Sequence, residues 1–154
     1  MCGIVGQVGE LSDRIRQARA LQTLFHRGPD AHDNWWADTD DAWLAQRRLA
    51  IVDLSEAGHQ PMHNEDRTLW LGHIFYSNCD VESILHAFEE WGEDCVNYLE
   101  GMFAFGLWDT RQRKLFMARD RVGIKPLAYQ VTHNGLLFAS DTRAIIDLCH
   151  SRPN

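Results

Sequence analysis

The chain has no apolar run approaching the ~20 residues that a bilayer-spanning helix needs, and its first residues lack the basic stretch and long apolar core of a secretory signal. Positive charge is scarce: 15 lysines and arginines stand against 22 acidic residues, for a formal net charge of -7. That balance argues against nucleic acid or a membrane surface as a partner. Cysteine is sparse too. Cys2, Cys79, Cys95 and Cys149 are widely separated and include no C-x-x-C pair, so neither a disulfide framework nor a zinc ribbon is expected. His59 and His63 lie four apart, but Pro61 between them keeps them off one helix face, and no metal site is assigned. There is no glycine-rich phosphate loop, internal repeat, low-complexity stretch or interdomain linker. These absences read as a protein of reducing, cytoplasmic surroundings with no metal and no cofactor.

What is present is an ordinary globular composition, 45% hydrophobic and 24% charged, over 154 residues: one domain with a real core. Residues 2–8 read as a buried strand. From Ser12 to Phe25 the residues Ile15, Ala18, Leu21, Leu24 and Phe25 recur at helical spacing, with Ser12 as N-cap and Gly28-Pro29 as the stop. Strands are expected at 42–46 and 49–53, around Arg47 and Arg48, and at 68–71. Asp80 reads as the N-cap of a helix carrying Ile84, Leu85, Phe88 and Trp91, closed by Gly92, with a shorter helix over 93–100. The pattern then turns extended at 102–109, 114–120, 127–131 and 136–140, with a hairpin turn at His133-Asn134-Gly135. A last helix starts near Asp141. Strand runs beside separate helices mean α+β, not alternating βαβ. Trp35, Trp36, Trp70 and Trp108 are expected in the core or at its rim, and "RDRVGIKPL" (119–127) reads as an ordered loop supporting the fold.

The chemistry starts at Cys2, directly behind Met1 and followed by Gly3. Removal of Met1 gives Cys2 a free α-amine, with a reference pKa of about 7.7–8.0 beside a thiol of about 8.5. Such an amine takes the thiol proton directly or through a water, so the nucleophile carries its own base. The bland alternative is a small apolar residue opening a strand.

"MCGIVG", "HRGPD" and "RRLAIVDLSEAGHQPM" resemble the N-terminal glutaminase domain of class II glutamine amidotransferases, in the asparagine synthetase branch. The resemblance resumes with "GHIFYSNCDVESILHAFEEWGEDCVNYLEGMFAFGLWD" and "LFMARDRVGIKPLAY" and runs to "LFASDTRAI". It implies a four-layer αββα sandwich of two antiparallel sheets, the N-terminal nucleophile hydrolase fold, in a single glutaminase-like domain over 1–154. It implies Cys2 as the nucleophile that attacks the side-chain amide of glutamine and releases ammonia through a thioester. Arg48 matches the arginine that holds the substrate α-carboxylate, a role suited to a planar fork of donors. Asp80 matches the aspartate that pairs with the α-ammonium, and Arg27 and Gly28 match a loop beside the nucleophile. The implied substrate is glutamine. The implied partner is a synthetase domain or subunit in trans, because the Ser-Gly-Gly pyrophosphate loop of a synthetase half does not occur.

The sequence departs from the family at one place. "RTLWL" (67–71) runs straight into "GHIFYSNCD", where the family has an Asn-Gly-Glu-Ile-Tyr-Asn stretch and a helix. Either that segment is deleted before Gly72, or "LGHIFY" takes its place, with Leu71 for the asparagine and His73 for the glutamate. Both alignments remove the asparagine that, with the adjacent glycine amide, forms the family's oxyanion hole. Asn78 and amides near Gly72 are the conceivable substitutes. One helix should be missing from the sandwich and glutaminase activity impaired. The competing reading is a non-catalytic module that keeps the fold and binds glutamine or a partner. A well-packed Leu71–Gly72 junction would favour a functional compact variant, and an exposed apolar gap a remnant.

Overall fold

A computed structural model describes residues 2–49, 60–76 and 82–149, without the side chains of 74–76 and 82. Two antiparallel sheets face each other. The five-stranded sheet has the order β2 (Ala31–Trp36), β3 (Ala42–Arg48), β1 (Gly3–Gly9), β9 (Gly135–Ala139), β8 (Ala128–Thr132). The four-stranded sheet has the order β4 (Met62–His63), β5 (Leu69–Tyr76), β6 (Met102–Asp109), β7 (Lys114–Arg119). Helices α1 (Arg14–Thr23) and α3 (Thr142–Cys149) cover the first sheet, and α2 (Glu82–Trp91) covers the second.

Strand alternation sorts the apolar residues into three interlayer cores. Val5, Trp43, Ala45, Leu137 and Ala139 meet Leu21, Ala144 and Ile145 of the helices. Ile4, Leu44, Trp108 and Phe138 fill the space between the sheets. Leu69, Leu71, Phe103, Phe105 and Leu107 pack on Ile84 and Leu85. This is the αββα order expected, with α2 alone among the described helices on the outer face of the second sheet. Trp108 is in the core, with Trp35, Trp36 and Trp70 at its rim.

Several expectations are corrected. Helix α1 is capped by Asp13, whose carboxylate accepts the Arg16 amide at 2.9 Å, because Ser12 is held instead by Gln7 Oε1 at 2.8 and 3.0 Å. The helix ends at Thr23 in a 3-10 turn over Leu24–His26. Its buried face is Gln17, Ala20 and Leu21, leaving Ile15 exposed; Trp36 Nε1 donates to Gln17 Oε1 at 2.9 Å. Strand β2 lacks apolar alternation and was not expected; it sits at a sheet edge, where "AHDN" can be solvated. Strand β3 continues through Arg47 and Arg48, so the basic pair is not a break; 50–53 lie outside the described residues. The helix expected over 93–100 is a 3-10 stretch, Gly92–Asn97. The final hairpin loop is His133-Asn134, since Gly135 already pairs with Thr132. The 119–127 loop is ordered as expected: the Asp120 carboxylate accepts the amides of Ile124 and Lys125 at 2.8 and 2.9 Å.

The Leu71–Gly72 junction is uninterrupted β5, paired with β6 in register from Leu69↔Asp109 to Tyr76↔Met102. Leu71 is fully buried. The outcome is the well-packed seam.

The distance between the sheets is set by Phe138. A Cβ on Gly6 of β1 would lie 2.4 Å from its ring, and a Cβ on Gly106 of β6 would lie 2.5 Å from it. The ring is held between two bare backbones in opposite sheets. Gly106→Ala should therefore destabilise by about 1–3 kcal/mol through overpacking, measured by urea unfolding. Phe138→Leu should relieve part of that cost in the double mutant. Additive losses would show that the ring does not set the spacing.

Candidate active site

Strand β1 lies in the middle of its sheet, and Cys2 immediately precedes it. Gly3 pairs with Arg47 on one side. On the other, Ile4 is held by Ser140: Ile4 N–H donates to Ser140 Oγ at 3.0 Å, and Ser140 N–H donates to Ile4 O at 2.9 Å. The first turn of β1 cannot fray without breaking both contacts.

Cys2 is partly exposed at the mouth of the inter-sheet space. Its thiol lies against the main chain of Leu49: the Leu49 amide donates to Sγ at 3.4 Å, and Sγ–H points to Leu49 O at 3.8 Å. Arg27 Nε donates to Cys2 O at 3.2 Å. A Cβ on Gly3 would come within 3.4 Å of Arg27 Cβ and Cδ, so Gly3 lets that arginine lie flat over the strand. Burial lowers the Arg27 pKa, and the charges of Asp141 and Cys2 oppose the shift. Asp141 is held at about 2, chiefly by hydrogen bonds from Arg143. A Cβ on Gly28 would lie 2.5 Å from the Arg47 carbonyl, so only glycine lets the 26–30 segment close on β3. Asp30 N–H completes that closure on Arg48 O at 3.1 Å.

Adjacent arginines of β3 separate by alternation. Arg47 turns toward α1: its Nε donates to Leu21 O at 3.2 Å, its Nη2 donates to Gln22, and its guanidinium lies 5.2 Å from the Phe25 ring. Arg48 therefore belongs to the opposite, inter-sheet face. One step beyond Gly3↔Arg47, the register sets Cys2 opposite Arg48 on that face. The structure thus brings Cys2, Arg48, Arg27 and Gly28 together at one end of the sandwich. Asp80 and Asn78 lie outside the described residues, as does His59.

Strand β5 forms the facing wall. Gly72 looks across at Ile4, with a Cβ there 3.9 Å from Ile4 Cγ2. Leu71 points the other way, into the core under α2. At the asparagine's place in the second alignment the side chain is therefore apolar and aimed away from Cys2.

Three buried polar residues, which sequence reasoning did not single out as a group, stand beside this wall. Gln46 Nε2 donates to His73 O at 2.9 Å. His73 N–H donates to Gln60 Oε1 at 3.1 Å, and Gln60 Nε2 donates to His73 Nε2 at 2.8 Å. Gln60 grips His73 by both ends of its amide, which makes Nε2 an acceptor. Burial pushes the His73 pKa down to about 4. The available signal was "LAQRRL", where glutamine takes the inward position that follows Leu44 on the strand.

Two grooves lie elsewhere. One of about 600 Å³ runs past Trp35, Trp70 and Trp108 at the far end of the sandwich, and one of about 450 Å³ lies near Asn64, Glu89 and Arg111. Among the described residues no helix is long and apolar enough to cross a membrane.

A family model of the glutamine amidotransferase domain matches residues 1–73 and again 67–154. The chain belongs to the glutamine amidotransferase domain family. The two matches of this amidotransferase domain share residues 67–73, which take in the first part of β5, where the two alignments differ. It is 36% identical to asparagine synthetase [glutamine-hydrolyzing] 3 of Bacillus subtilis over 95% of this chain and 27% of the relative. It is 37% identical to an Arabidopsis thaliana protein of the same description over 97% of this chain and 29% of the relative. The chain thus spans less than a third of these relatives. The alignments cover 171 and 174 positions against a chain of 154, so the relatives carry residues that this amidotransferase domain lacks. Glutamine phosphoribosylpyrophosphate (PRPP) amidotransferase from B. subtilis, solved with ADP and GMP, superposes with a TM-score of 0.75 over 96% of this chain and 43% of its own, at 16% identity. That likeness supports the four-layer fold.

His73 makes the fold acid-sensitive. Its folded pKa of about 4 lies below the ordinary value of 6.5, so between those values the unfolded chain binds a proton that the folded chain does not. Stability from this residue is fully present above pH 6.5 and falls by about 3 kcal/mol on acidification to pH 4. Urea unfolding of wild type and His73→Gln across that range should show a shallower pH slope in the variant. Equal slopes would mean that His73 does not titrate this way.

Proposed function

We propose that this domain is a glutaminase: Cys2, freed of Met1, attacks the side-chain amide of glutamine and releases glutamate and ammonia. Support comes from Cys2 and Arg48, set opposite each other at the open end of the inter-sheet space, within a family described by glutamine amidotransfer. In this reading the α-amine of Cys2 takes the thiol proton and returns it to the leaving ammonia. The carbon–nitrogen bond breaks as a thioester forms, and water then releases glutamate. Arg48 holds the α-carboxylate and Asp80 the α-ammonium. Arg27, on the Cys2 carbonyl, fixes the nucleophile's main chain. The ammonia would serve an asparagine synthetase-like reaction in a synthetase domain or subunit, as the descriptions of the relatives suggest.

Turnover should be slow. Removal of one oxyanion donor costs a factor of about 10²–10³, and Leu71 supplies no side-chain donor. The alternative, a glutamine-binding module without turnover, draws on that same residue.

The test is ammonia release by protein whose intact mass confirms loss of Met1, with Cys2→Ala as blank. Weak, Cys2-dependent release is expected. Arg48→Lys should raise the half-saturating glutamine concentration about tenfold, because a point charge cannot make the paired contact. No release above the blank would favour the binding module. An unchanged half-saturation would remove Arg48 from the site.

A further inference from the structure

Strand β4 is too short to cover the edge of β5. It pairs only Met62 with Leu71 and His63 with Trp70. Two places further along, the same register sets Gln60 opposite His73, but Pro61 intervenes and offers no N–H. The main-chain groups of His73 point away from β6 and meet two side chains instead. Gln60 Oε1 takes the N–H at 3.1 Å, and Gln46 Nε2 gives to the C=O at 2.9 Å. Left open, that edge would bury an unpaired amide and carbonyl, which costs more than a net hydrogen bond contributes.

The two glutamines are not equivalent. Gln60 belongs to the segment next to β5. Gln46 belongs to β3 of the other sheet, and its hydrogen bond crosses the inter-sheet space. It lies two residues before Arg48 on the same face of β3, opposite Ile4 as Arg48 is opposite Cys2. It is 1% exposed, and its amide cannot reverse without setting two oxygens against each other.

We propose that Gln46 is a positioning residue of the glutaminase site, tying β3 to β5 so that Arg48 stands at a fixed distance from the β5 wall and from Cys2. The inference rests on the glutaminase reading for its effect on glutamine, and on the hydrogen bond alone for its effect on β5. Gln46 is closed off from solvent: its amide nitrogen is committed to the opposite sheet, while Oε1 is buried with no hydrogen-bond partner among the described residues. Its action is on the placement of Arg48, so its loss should weaken recognition of the amino-acid end of glutamine and leave the thiol itself reactive.

Gln46→Met removes the donor at similar length, and Gln46→Leu removes it in a shorter apolar side chain. Two measurements on the Met1-processed chain separate positioning from plain stability. The first is alkylation of Cys2 by iodoacetamide, followed by peptide mapping, with increasing L-glutamine as protectant. Both variants should need about tenfold more glutamine for half-protection, as a misplaced clamp requires, while the rate without glutamine stays within about twofold. The second is hydrogen exchange of the β5 amides, which should quicken beyond Leu71. Unchanged half-protection in a variant that is only less stable overturns the positioning role. Unchanged exchange overturns the tie itself. If glutamine fails to protect wild type, the glutaminase reading and the positioning role fall together, and the exchange result still decides the tie. If Gln46→Met does not fold, Gln46→Leu carries both measurements.

Discussion

The site depends on one strand being central. A nucleophile whose base is its own α-amine must sit at a chain terminus, and termini ordinarily fray. Cys2 leads directly into β1, which is paired on one side with β3 and on the other with β9. Ser140 closes the β9 side at Ile4, and Arg27 holds the Cys2 carbonyl. Removing either neighbour would leave the thiol on a loose end, where effective concentration is lost.

Alternation then determines what faces that thiol. The same period that buries Val5 and Trp43 under the helices sends Ile4, Leu44 and Gln46 into the inter-sheet space. It divides the basic pair as well. Arg47 becomes a strut on α1 and Arg48 is left to the open end. Gly28 serves the same end, being bare because the segment carrying Arg27 must close on the β3 main chain. The departure from the family pattern fits this frame because strand pairing of β5 with β6 is continuous across the Leu71–Gly72 junction, while glutamine side chains finish the edge that β4 leaves open.

Much of this was legible in the residues. Strand β6 has the bounds its pattern indicates, and α2 ends at Trp91, directly before Gly92, whose φ of +58° suits glycine. Motif order singles out Cys2, Arg48 and the 26–30 segment, and the sheet registers place them at one end of the sandwich. The misses have physical causes. The face of α1 was misassigned because Gln17 is buried by a hydrogen bond to Trp36, a contact nineteen residues away that periodicity cannot see. β2 was invisible because an edge strand needs no apolar alternation. The polar group at Gln46, Gln60 and His73 was hidden because its members come from three separate segments, and only the sheet registers bring them together. Asp80 keeps its motif assignment as a proposal.

The central claim is that Cys2 and Arg48 form one pocket that recognises an L-amino acid at its charged end, although Leu71 stands where a donor would be. The most direct measurement is covalent labelling of the Met1-processed chain by an electrophilic glutamine analogue, with every cysteine mapped by peptide mass. Alkylation does not build the tetrahedral oxyanion, so the missing donor should not prevent it. The account predicts label on Cys2 and not on Cys79, Cys95 or Cys149, with protection by L-glutamine and none by D-glutamine. Label spread over the cysteines, or label on Cys2 that both enantiomers block equally, would contradict it.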